Sequence, residues 1–217
     1  DSVDDFFQRV LACNQLFQFD PKVKPTNWRC ATVTKLELEQ LRKIPNVIRM
    51  GHVQAVTPDE MRLEKGVWKT APNTLYIDCA ADGLRNRPEK KVFDGNRITL
   101  QTVRMCQQVY SAGFIGNIEA NLSDEARKNE LCRPVPLPHA ANDYLRCAIQ
   151  DSENMLVWLT EPSVVTWINA SRIDLFSPIF KFDCPIVGPQ IQAMGELLNL
   201  AIPKMRALLE AECVATA

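Results

Sequence analysis

The sequence predicts an α/β protein with a helical carboxyl-terminal region, and three stretches carry that prediction. In Asn73–Leu84 a run rich in strand formers, Thr74 to Asp78, leads straight into Cys79, Ala80 and Ala81 and then Asp82-Gly83. Such a run suits a buried parallel strand, and small residues at its carboxyl end let a ligand or a neighbouring backbone come close. Residues 46–69 change to a period of two, which predicts a three-piece antiparallel meander. Arg97 to Leu122 is apolar on nearly every side (Ile98, Leu100, Val103, Val109, Phe114, Ile118), the pattern of a long helix enclosed in a large body.

Taken in order, residues 1–17 predict an amphipathic helix with Val3, Phe6, Phe7, Val10, Leu11 and Phe17 on one face and Ser2 with Asp5 as a capping box. A chain that opens directly on such a helix reads as one that has lost its beginning. Trp28–Val33 predicts a short strand. Thr34 and Glu37 then cap a second helix that buries Leu38, Leu41 and Ile44 and stops at Pro45. Val47–Met50 and Val53–Val56 read as strands, Thr57-Pro58-Asp59-Glu60 as a turn, Met61–Glu64 as the return, Lys65-Gly66 as a second turn and Val67–Lys69 as the last piece. The central strand 74–80 follows. Residues 85–92, rich in Arg and Lys, predict a solvated loop, and Phe93-Asp94-Gly95-Asn96 a turn. In the long helix, Gly113 and Gly116 offer room for another element. Beyond Ser123, a predicted cap, come a short charged helix (124–131), a stiff Pro-rich segment (133–138), helices near 141–150, 153–159 and 162–170, a loop at 176–189, and a helix over 190–213 interrupted by Pro203.

Composition bounds the function. The 217 residues are 46% hydrophobic and 24% charged, near the averages for soluble globular proteins. The net charge of −1 gives no electrostatic case for nucleic acid or anionic membrane. No apolar run approaches a membrane-spanning length and no signal peptide opens the chain, so the expectation is a soluble, cytoplasmic protein. Eight cysteines lie far apart without a C-x-x-C pair, which predicts buried reduced thiols rather than a metal site, a redox dithiol or a disulfide framework. Only two histidines, His52 and His139, are present, too few for a His-rich metal site. Eight glycines include no G-x-G-x-x-G and no G-x-x-x-x-G-K, so the chain brings no recognisable phosphate cradle.

The inventory for autonomous catalysis is thin. No G-x-S-x-G and no histidine beside a nucleophile occurs. Asp78, Asp82 and Asp94 cluster around the central strand and its turns, where carboxylates usually cap or face water. Cys79 at the strand end could be reactive, though a small buried thiol satisfies the same position. Arg29 and Cys30 could face a cofactor, and Arg133 with His139 could line a cleft. The first-turn amides near Arg97 to Leu100 could bind an electronegative group; an ordinary core helix satisfies the same residues, as an ordinary core strand satisfies 74–80. No general acid or base can be assigned.

A meander ending in a strand and then Asp78-Cys79-Ala80-Ala81-Asp82-Gly83 resembles the end of the pyridine-nucleotide domain in flavoproteins with two dinucleotide-binding domains. There the strand commonly reads Asp-x-x-x-x-Ala-Thr-Gly and marks the return to the FAD domain. Asp82 stands here in place of a neutral residue. Phe93-Asp94-Gly95-Asn96-Arg97-Ile98-Thr99-Leu100-Gln101 with the helix after it is similar to the family's last FAD-domain segment. Trp28–Thr34 and Leu131–Pro136 look similar to related FAD/NAD(P)-binding proteins of the flavin-containing monooxygenase-like group.

The resemblance implies a partial Rossmann-like sheet and three regions: 1–84, the second half of a nucleotide-binding-like domain; 85–122, a return segment with the long helix of an FAD-domain-like core; and 123–217, a helical cover over the active site. It implies FAD and NAD(P)H as cofactors and a small-molecule substrate. Asp78, Cys79, Ala80, Ala81, Asp82 and Gly83 would line the domain junction, and Arg97, Ile98, Thr99, Leu100 and Gln101 would meet the flavin. The Gly-rich loops would come from an N-terminal half or a partner chain, this chain being the later half of an oxidoreductase. A non-catalytic binding or assembly module with a degenerate flavoprotein fold is the alternative.

Overall fold

The computed structural model describes residues 2–26, 33–80, 87–173 and 187–215, and the chain divides into two compact units, Asp1–Thr32 with Asn86–Ala217 and Val33–Arg85. These boundaries differ from the expected regions 1–84, 85–122 and 123–217. Residues 28–32 of the predicted strand Trp28–Val33, the candidates Arg29 and Cys30, the turn residues Ala81, Asp82 and Gly83, and most of the loop 176–189 lie outside the described residues. Among the described residues the architecture is mixed α/β: seven helices, a three-stranded antiparallel sheet and a two-stranded hairpin.

The larger unit opens on α1 (Val3–Ala12), where the Ser2 hydroxyl accepts the Asp5 amide as the capping pattern predicts. Its buried Val3 and Phe7 meet Leu145 and the inner side of the last helix, including Met205 and Leu208. The expected helix over 97–122 forms only at its carboxyl end. Phe93–Asp94 (β4) and Arg97–Ile98 (β5) pair antiparallel across Gly95-Asn96, with Gly95 at φ +59, a left-handed conformation that glycine adopts at no steric cost. Residues 99–107 then run as irregular chain before α3 (Gln108–Asn121) begins. Turn chemistry in the Asp-Gly-Asn sequence, followed by β-branched Ile98, Thr99, Thr102 and Val103, outweighs the all-round apolarity that suggested a helix.

Helix α3 buries Tyr110, Phe114, Ile115 and Ile118, while Val109 is 72% exposed, so it is not wholly enclosed. At Gly113 an added Cβ would lie 2.7 Å from Ile173 Cδ1 and 3.7 Å from the Trp167 ring, the close approach its position predicts; Gly116 has open space. Asp124, not Ser123, caps α4 (Glu125–Leu131), its carboxylate accepting the Ala126 amide. The stretches expected at 141–150 and 153–159 are one helix, α5 (Ala141–Trp158), followed by α6 (Pro162–Ala170) and α7 (Val187–Ala215), which carries Pro203 inside it. Trp158 fills the centre: it is 2% exposed, its ring lies 4.6 Å from that of Phe114, and its Nε1–H donates to the Leu131 carbonyl at 2.7 Å. The indole thereby joins α5, α3 and α4.

In the smaller unit Thr34 and Glu37 form the predicted capping box at α2 (Lys35–Leu41), each side chain accepting the other's amide at 3.2 and 2.7 Å. Leu38 is buried, but Leu41 and Ile44 are 42% and 51% exposed. The meander forms as β1 (Val53–Val56), β2 (Glu60–Leu63) and β3 (Gly66–Lys69); Glu64-Lys65 makes the second turn, and Val47–Met50 stays irregular. Thr74–Ala80, expected as the central buried strand, carries no regular secondary structure, and every residue in it is exposed. Among the described residues of this unit only Leu38 and Leu63 are buried. A three-stranded sheet needs an apolar face packed against something for stability; here Val53, Val56 and Val67 are each about half exposed.

Removing the indole should weaken the larger unit far more than removing a cap weakens the smaller one. Trp158→Ala is expected to lose about 4 kcal/mol and Thr34→Ala about 1 kcal/mol, both measured by denaturant unfolding; similar small losses would contradict the central placement of Trp158.

Candidate functional site

The sequence-predicted residues do not assemble into one site within either unit. Asp78, Cys79 and Ala80 belong to the smaller unit and are exposed, with the Asp78 carboxylate accepting the Ala80 amide at 2.8 Å. Ala81, Asp82 and Gly83 lie outside the described residues. Arg97–Gln101 belongs to the larger unit but stands in and after the hairpin rather than at a helix start. Arg97 donates to Asp94 at 2.6 Å, Ile98 pairs with Phe93, the Thr99 amide donates to the Val92 carbonyl at 2.8 Å, and Leu100 is 66% exposed. The Gln101 amide both donates to and accepts from the Lys90 backbone. These polar groups serve their own loop, and the expected bank of free first-turn amides does not exist there.

The polar chemistry of the larger unit gathers instead just beyond, along residues 102–107. The Arg104 side chain is 2% exposed, with its guanidinium carbon 5.6 Å from the Trp158 ring centre and 5.9 Å from that of Tyr110. Its Nη1 lies 3.8 Å from Asp151 Oδ2, while Asp151 Oδ1 accepts the Met105 amide at 2.8 Å. Met105 sits at φ +35, a conformation that a long side chain avoids and that surrounding structure must impose. Asn154, fully buried, donates to the carbonyls of Val103 (2.9 Å) and Arg133 (2.7 Å), and the Ser111 hydroxyl accepts the Val103 amide at 3.0 Å. Thr102 and Val135 exchange two further hydrogen bonds.

Two thiols and a phenol border this cluster. Burial pushes Cys147 up from 9.0 to about 12, helped by the Asp143 carboxylate; its thiol donates to the Pro136 carbonyl at 2.7 Å. Cys106 is raised by burial and then by the Asp151 charge, and Tyr144 by burial and then by the neighbouring Cys147, Cys106 and Asp151. Cys132, deeper in the core, is raised by burial alone. Thiols held protonated are poor nucleophiles at neutral pH. Elsewhere Arg133 donates to Glu153, which also accepts from Arg206, and the His139 and Ala140 amides donate to the Asp143 carboxylate. Among the described residues no group of three or more His, Cys, Asp or Glu gathers in a metal-binding arrangement. The cluster can orient backbone and keep an ion pair dry; it presents no activated nucleophile.

Arg104, Asp151 and Asn154 escaped the sequence reading, although one signal was present. Cys147, Asp151, Asn154 and Trp158 fall at helical spacing on one stripe of α5, so two polar residues share a stripe with buried Cys147 and Trp158. Dividing α5 near residue 152 hid that register.

No family model and no solved structure matches the chain. It is 46% identical over 178 residues to uncharacterized proteins of Mycobacterium bovis and Mycobacterium tuberculosis, a match covering 82% of this chain and 33% of each relative. The chain therefore spans about a third of the length of the curated relatives it matches.

The raised thiols make stability depend on alkaline pH with a definite sign. In unfolded chain a thiol ionises from about 9.0 upward, while folded Cys147 keeps its proton until about 12. The folded state thus binds more protons in that window, and stability, fully present below it, falls as pH rises through it. Denaturant unfolding followed from pH 8 upward should show this decline, shallower in Cys147→Ala; an identical slope in the variant would contradict the assignment.

Proposed function

We propose that this chain is a docking part of a larger oxidoreductase that holds FAD and uses NAD(P)H, and that its own residues take no chemical step. The observation that carries the docking role is the uncovered apolar surface of the smaller unit. Leu75 and Ile77 are 81% and 75% exposed, and Leu36, Val47, Val53 and Val67 add to the exposed apolar surface of the same unit. Read together, these exposed side chains are proposed to mark a place where another body belongs. The larger unit supports the non-catalytic half of the reading, since burial holds the Cys106, Cys132 and Cys147 thiols protonated and its buried Arg104 and Asp151 are engaged with each other and with backbone.

The flavin half has narrower support. It comes from the resemblance of residues 78–83 and 93–101 to flavoprotein segments, together with relatives about three times as long as the match, which have length for the Gly-rich loops missing here. A Rossmann-like sheet would be completed only in the whole protein. Asp78, Cys79, Ala80, Ala81, Asp82 and Gly83 are the residues proposed to approach the domain junction; Arg97–Gln101, lying in and after a hairpin, has lost the helix start that suggested flavin contact. The redox chemistry would belong to the cofactors, with a small-molecule substrate. Free thiols at Cys13, Cys79, Cys106, Cys132 and Cys147 fit a reducing compartment such as the cytoplasm, and no helix among the described residues is long and apolar enough to cross a membrane.

A second reading, an assembly module in a protein without flavin, rests on the same protonated thiols and exposed surface. The two part on one measurement, the visible absorption spectrum of the full-length Mycobacterium tuberculosis relative purified from its natural source. Flavin bands that bleach on addition of NADH or NADPH are expected. A colourless full-length protein would overturn the oxidoreductase reading and leave the assembly module.

A further inference from the structure

We infer that Thr74–Ala80 is added as a strand to a β-sheet supplied by the sequence that the longer relatives carry outside the matched region. The inference rests on the docking role proposed above and states how the docking is made. Thr74, Leu75, Tyr76 and Ile77 include β-branched and aromatic residues that favour a pleated surface, yet among the described residues the segment pairs with no strand. Leu75 and Ile77, two residues apart, are 81% and 75% exposed. Tyr76 between them is half as exposed at 38%, and its hydroxyl donates to Thr70 Oγ1 at 2.8 Å, just past the end of β3. That alternation gives the segment one apolar side ready for burial and one side tied to its own unit. At its carboxyl end Cys79 and Ala80 are small enough for a neighbouring backbone to approach, and the Asp78 carboxylate closes a local turn on the Ala80 amide. Main-chain hydrogen bonds would supply affinity, and pockets for Leu75 and Ile77 would supply register.

The occupant follows from the length of the relatives. A match of 178 of 217 residues leaves 39 outside it, so wherever those fall, a continuous match includes 74–80. In the relatives the segment therefore sits in one polypeptide with about twice as much further sequence. A partner in the same polypeptide acts at an effective concentration on the order of millimolar, well above that of a second copy at ordinary protein concentration.

The test compares the full-length Mycobacterium tuberculosis relative with this 217-residue chain, using amide hydrogen exchange at positions aligned with 75–79 and hydroxyl-radical footprinting of the side chains aligned with Leu75 and Ile77. Strand addition predicts amides on the order of a hundredfold slower in the full-length protein than in the chain alone, with both side chains shielded. Proline at the position aligned with Ile77 should abolish that slowing across the segment. Fast amides with shielded side chains would overturn strand addition and leave the docking role standing. Fast amides with unshielded side chains would overturn both. Slow exchange in the 217-residue chain that strengthens with concentration would assign the strand to a second copy and overturn the inference.

Discussion

A backbone that crosses a protein interior as neither helix nor strand must find partners for its N–H and C=O groups among side chains, and in the larger unit that requirement falls on residues 102–107. Ser111 of α3, Asp151 and Asn154 of α5, and the Val135 backbone supply those partners. Asn154 matters most, because one buried amide group bonds two carbonyls from segments 30 residues apart in the chain, Val103 and Arg133. With the segment fixed, the Arg104 guanidinium packs beside both Tyr110 and Trp158, and the indole can join α3, α4 and α5. A network that satisfies a buried backbone spends its polar atoms doing so, and the same residues are then unfit for acid–base work. The absence of an activated group in the cluster follows from the way the unit is held together.

The smaller unit inverts this balance. Its backbone is well provided for in the meander and in the capped helix α2, while its apolar side chains are left in water. Hydrophobic burial is the dominant favourable term in folding, and two buried leucines supply little of it. The contrast in buried apolar side chains, many in the larger unit and two among the described residues of the smaller, is the physical ground for proposing the smaller unit as the docking surface.

Local rules were legible in the sequence wherever they act within a few residues. The Ser2 cap, the Thr34–Glu37 box, the Thr57–Glu60 turn and the close approach at Gly113 are decided by neighbouring atoms. What failed depended on distant partners. Segment 74–80 has the composition of a core strand, but a strand exists only where another strand accepts its hydrogen bonds, and composition does not name that partner. Residues 97–107 are apolar enough for a helix, yet the Gly95-Asn96 turn and the side chains of Ser111, Asp151 and Asn154 offer the backbone a better arrangement. The helix start that suggested flavin contact at Arg97–Gln101 fell with that helix. Arg104 gave no sign of its burial, because its compensation comes from rings and a carboxylate up to 54 residues away, at Trp158.

The claim that side chains of α5 hold an irregular buried backbone is tested most directly by Asn154→Leu, which keeps the branched side-chain skeleton and removes both donors. Equilibrium unfolding in denaturant should show a loss of about 3 kcal/mol, the penalty of leaving the Val103 and Arg133 carbonyls buried without a partner. A variant within about 0.5 kcal/mol of the parent would contradict it.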